Sequence, residues 1–105
     1  MNQARQHIIH ASAHIDYAVS LTAVMELARE PSGLPLLLLL RDVVTEQVVE
    51  PFPTKPFAHQ GLLIRPDVPI ERIEAIVKLI RQRYRYSQFP IYRKGIRGGW
   101  KTVRG

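Results

Sequence analysis

Two stretches of this chain repeat apolar side chains at intervals of three and four, the spacing that predicts helices. From Ala4 to Arg29, a step of about 100° per residue gathers Ala11, Ile15, Ala18, Leu21, Met25 and Ala28 on one side. Ser12, Asp16, Ser20 and Glu30 fall opposite. Glu30-Pro31-Ser32-Gly33 closes the segment, since proline disfavours helical geometry in the residue before it and glycine allows a turn. From Asp67 to Tyr86 the pattern is stronger: Ile70, Ile73, Val77, Ile80 and Tyr84 keep helical spacing without a miss. Asp67 reads as the N-cap, Pro69 suits the first turn, and Lys78, Arg81, Arg83 and Arg85 suit the negative end.

Leu34 to Glu50 reads both ways. As a helix it places Leu37, Leu40, Val44 and Val48 in a stripe beside Leu36 and Val43, with Arg41, Asp42, Thr45 and Glu46 outward. As strand it splits into a buried leucine run and a second strand at Val43 to Val49. Leucine favours helix, so the helical reading leads.

Pro51, Pro53 and Pro56 make residues 51–57 a stiff connector, because proline removes donors and fixes φ. Gly61 to Arg65 offers a short strand centred on residues 62–64. Phe89 to Arg93 and Trp100 to Arg104 flank a glycine-containing loop, so residues 87–105 form a basic hairpin or an arm that orders on a partner. The expected fold is mainly α, three helices with a minor β component near 62–64 and a C-terminal hairpin. The alternative is an α+β domain with residues 36–49 in a sheet.

With 105 residues and 46% apolar content the chain fits one folded domain spanning 1–105. It has no cysteine, which excludes a disulfide framework, a thiolate zinc site and a cysteine nucleophile. Leu34 to Leu40 is the strongest apolar run, far short of the ~20 residues that cross a bilayer. The first residues lack the apolar core of a secretory signal. A cytoplasmic protein without membrane contact is expected.

Charge changes the picture most. Residues 78–105 hold nine basic residues and no acid, which leaves six basic residues against all nine acids before them. Five of the eight aromatics share this basic end. Cations that neutralise phosphates, interleaved with rings that stack on bases, point to nucleic acid, DNA or RNA. The candidate contacts are Arg81, Arg83, Arg85, Tyr86, Tyr92, Arg93, Lys94, Arg97, Trp100, Lys101 and Arg104, and Gly95, Gly98 and Gly99 would let a phosphate approach the backbone. The expected function is a non-catalytic accessory or regulatory nucleic-acid-binding protein. The competing reading is an adaptor docking its basic end on an acidic protein.

Two lesser constellations remain. His7, His10 and His14 fall on one side of the first predicted helix, but no Asp, Glu or Cys joins them, so they are weak metal candidates and no cofactor is expected. His59, Arg83 and Tyr92 are residue types that a small ribonuclease uses, a less favoured reading. The apolar surface of the first two predicted helices exceeds what three short helices hide, and this predicts a homodimer.

Overall fold

A computed structural model describes residues 15–52, 59–96 and 98–104. Among these residues are five strands and three α-helices. Strand β1 (Asp16–Ser20) leads directly into α1 (Leu21–Leu27), because the Ser20 hydroxyl accepts a hydrogen bond from the Ala23 N–H at 3.2 Å and caps the helix. A 3₁₀ turn (Pro31–Gly33) joins α1 to α2 (Leu34–Arg41). Strands β2 (Val44–Phe52) and β3 (His59–Ile64) follow, then α3 (Ile70–Arg83), β4 (Ile91–Lys94) and β5 (Trp100–Thr102).

All strand pairs are antiparallel, in the order β2-β3-β1-β4-β5. Each helical crossing therefore skips one strand: β3 lies between β1 and β2, and β1 lies between β3 and β4. This is the β-α-β-β-α-β, ferredoxin-like connection with β5 added at one edge.

The mainly helical expectation is overturned: the domain is α+β, built on a five-stranded sheet. Residues 16–20, read as part of a long first helix, are the central strand. Tyr17 and Val19 enter the helical core while Ala18 is buried on the other face. A strand buried on both sides shows no alternation, so its apolar run fits a helical template equally well. The second segment divides. Residues 34–41 are helical, but the β-branched stretch from Val44 is strand; of the 36–49 segment offered to the sheet, only 44–49 lies in it. The third helix begins at Ile70 rather than Asp67, whose carboxylate instead accepts from Arg65 Nε at 3.1 Å. Of the 51–57 connector, Pro51 and Phe52 belong to β2; the rest lies outside the described residues.

The helices share one face of the sheet. Ala23 and Leu27 of α1, Leu36 and Leu40 of α2, and Ile73, Ile76, Val77 and Ile80 of α3 meet Tyr17, Val19, Ile64 and Ile91 in one core. The α3 residues hold the spacing read from the sequence, and burial of each contributes about 1.5–3 kcal/mol. Two residues at the centre of the opposite face are buried as well, Ala18 at 0% and Tyr92 at 2% exposure. Register shifts in β2 between Val44 and Val48 and between Val49 and Phe52 bend that strand, and Thr45 bridges the first by donating to the Leu63 carbonyl at 3.0 Å. The sheet curls until its two edge strands, β2 and β5, come into contact. No helix among the described residues is long and apolar enough to cross a membrane.

Candidate nucleic-acid interface

Helix α3 ends at Arg83 and the chain turns through residues 84–90 into β4, so the basic segment wraps the C-terminal end of the helix. Gln88 fixes the turn, its side-chain oxygen accepting from the Arg85 N–H at 2.9 Å and its own N–H donating to the Arg85 carbonyl at 2.9 Å. The hairpin of β4 and β5 then sets the remaining cations in register, with Arg93 opposite Lys101 and Lys94 opposite Trp100.

Three depressions follow one another along this surface. The first, at the end of α3, is lined by Arg83, Tyr84, Arg85, Tyr86 and Arg104, with Arg81 as a wall. The second, between α3 and the hairpin, shares Arg81 and adds Lys78, Glu74 and Arg93. The third shares Arg93 and adds Lys101, Gly95, Gly98, Gly99 and Ile15. Arg81 and Arg93 thus link the three into one trough.

Among the described residues the ion pairs lie elsewhere, between Arg65 and Asp67 and between Arg72 and Asp42. Among the described residues no carboxylate pairs with Lys78, Arg83, Arg85, Arg93, Lys101 or Arg104. Two acids approach the trough: Glu74 lines its middle, and Glu30 accepts from the Tyr84 hydroxyl at 2.8 Å. That bond, then burial and the Glu30 charge, raises the Tyr84 pKa, against a smaller lowering by Arg83.

The predicted contacts separate into distinct roles. Arg83, Arg85, Arg93, Lys101 and Arg104 are exposed in the trough. Tyr86 is 43% exposed, and the Arg104 guanidinium lies over its ring, 4.8 Å from the ring centre, so an aromatic group and a cation sit together at the surface. Arg81 is a structural clamp: its Nη1 donates to the Phe89 carbonyl at 2.8 Å and its Nη2 to the Val103 carbonyl at 2.6 Å. Burial lowers its pKa and leaves Nε without a partner among the described residues. Tyr92 is buried on the face of the sheet away from the helices, where burial raises its pKa, so its ring offers no stacking surface. Lys94 and Trp100 alternate to that same side of the hairpin, with the ammonium 5.9 Å from the ring centre. Arg97, His7, His10 and His14 lie outside the described residues.

The sequence reading left Lys78 out of the contact set, although it stands one turn before Arg81 on α3 and lines the middle depression. The ribonuclease residues sit on separate elements: His59 opens β3, Arg83 ends α3, and Tyr92 is buried in β4. Among the described residues no group of three or more His, Cys, Asp or Glu side chains could hold a metal ion. No family model, curated protein or solved structure matches this chain significantly.

Proposed function

We propose that the chain is a cytoplasmic, non-catalytic nucleic-acid-binding protein, an accessory or regulatory factor that seats a phosphate backbone in the trough at the end of α3. The supporting observation is the continuity of the trough: three depressions joined by Arg81 and Arg93, carrying six exposed cations that no carboxylate pairs among the described residues. Such a line of charge releases counterions when phosphates enter. The exposed Tyr86 ring favours this reading over an acidic protein partner, because an aromatic face stacks on a base and has no such match in a carboxylate.

The test is fluorescence anisotropy with labelled single-stranded and duplex oligonucleotides over a range of salt. The expected result is affinity falling linearly in log–log form with a slope of several units. Absence of binding at low salt overturns the proposal. Binding to an acidic protein surface but to no oligonucleotide moves the assignment to the adaptor class.

Self-association belongs to the same proposal. Leu34 and Leu38 of α2 are each 54% exposed, and Leu39 and Leu79 line an apolar groove bordered by Arg83. A second copy seated there would bring two troughs together, since Arg83 borders both surfaces. Sedimentation of the wild type and of Leu34→Gln/Leu38→Gln tests this, with a monomer at all concentrations as the refuting outcome.

A further inference from the structure

We infer that the tip of the β4–β5 hairpin is a phosphate cradle, in which the bare backbone of Gly95, Gly98 and Gly99 receives the anion between the Arg93 and Lys101 side chains. This rests on the nucleic-acid reading for the source of the phosphate.

The five described glycines fall into two kinds. Gly33 is required by the fold and Gly61 is closely packed in it: a β-carbon at Gly33 would come within 2.5 Å of the Leu27 carbonyl oxygen, and one at Gly61 within 3.1 Å of the Ala18 β-carbon. At Gly95, Gly98 and Gly99 a β-carbon would meet nothing within 4 Å among the described residues, and neither Gly95 nor Gly99 has left-handed backbone. Nothing among the described residues prevents alanine there. Yet glycine loses more conformational freedom on folding than any other residue, so three of them in one short loop are unfavourable unless they serve something outside it.

Two further observations identify what approaches. Gly95, Gly98 and Gly99 line one depression together with Arg93 and Lys101. Arg93 and Lys101 are also direct cross-strand partners. Like charges so placed repel each other and weaken a hairpin. An anion between them turns the repulsion into two attractions. A β-carbon screens main-chain N–H groups, whereas glycine lets a phosphate oxygen reach them. The chemistry that fits two cations beside exposed backbone is a phosphate, whether the diester of a strand or a free ion.

The full-length protein tests this with two probes, inorganic pyrophosphate and a labelled oligothymidylate. In ¹H–¹⁵N spectra of the wild type, pyrophosphate is expected to shift the amides of Gly95, Gly98 and Gly99. The triple variant G95A/G98A/G99A is expected to keep or raise its unfolding temperature while binding the oligonucleotide about tenfold more weakly. A triple variant that binds as tightly as the wild type overturns the cradle and leaves the nucleic-acid reading intact. A fall in its unfolding temperature also overturns it, by showing that the glycines serve the fold. Pyrophosphate shifts without oligonucleotide binding support the cradle and overturn the nucleic-acid reading. Shifts with a glutamate-rich peptide but not with pyrophosphate overturn the assignment to phosphate.

Discussion

The Arg81 guanidinium donates to the Val103 carbonyl oxygen at 2.6 Å, across 22 residues of sequence, and so fastens α3 to the chain just beyond β5. Its other terminal nitrogen holds the Phe89 carbonyl at 2.8 Å, before β4 begins. One side chain thus ties down both ends of the hairpin.

Replacing Arg81 by leucine leaves both carbonyls without that donor and is expected to cost about 3 kcal/mol in urea unfolding, since each hydrogen bond to a charged group contributes about 1.5–3 kcal/mol. Arg81→Lys should recover only part of the loss, because an ammonium group lacks the planar fork that reaches two carbonyls. Full stability in Arg81→Leu would show that the clamp is dispensable.

Gly33→Ala is expected to destabilise the protein by about 2 kcal/mol or more, through overpacking against the Leu27 carbonyl and side chain. Thermal denaturation of this variant, read beside the hairpin glycine variants, separates glycines the fold requires from those it does not.

Charge reversal in the trough should change the salt dependence of binding as well as its strength. Arg83→Glu, Arg85→Glu and Arg104→Glu are each expected to reduce the log–log salt slope by about 0.7–0.9 if the residue contacts one phosphate. Arg72→Glu serves as the control, because Arg72 pairs with Asp42 at the junction of α2 and β2. An equal effect from Arg72→Glu would mean that binding senses net charge alone.

Alkali should weaken the fold. Tyr84 keeps its proton because the hydroxyl donates to Glu30, with burial adding to the effect, and Tyr92 keeps its own because of burial. Both pKa values lie above the ordinary tyrosine value in the folded chain. Their contribution is therefore complete below about pH 10 and is lost as pH rises through the folded-state values. The urea midpoint should fall as pH rises above about 10, and Tyr84→Phe should fall less over that interval. An unchanged pH dependence in Tyr84→Phe would remove Tyr84 from the explanation.

The sequence made α3 legible because that helix is buried on one side only, so Ile73, Val77 and Ile80 display its period against exposed Glu71, Arg72 and Glu74. It concealed β1 because Tyr17, Ala18 and Val19 are buried on both sides and leave no period to read. In the second segment the change from leucine to valine and threonine at Val44 marked the junction, but the helical template ran through it. The basic trough was readable as composition. What composition could not supply was direction: the alternation that puts Arg93 and Lys101 on one side of the hairpin and Lys94 and Trp100 on the other follows from strand register. Nor could it show that Arg81 is engaged by two carbonyls.

Because Arg81 anchors the chain on both sides of the hairpin, the distance from the Tyr86–Arg104 stack to the glycine loop is set before any ligand arrives. In the proposed complex the protein then acts as a ruler with two fixed marks. Strands too short to touch both would forfeit the second contact abruptly, so affinity would rise in a step with length instead of creeping upward nucleotide by nucleotide.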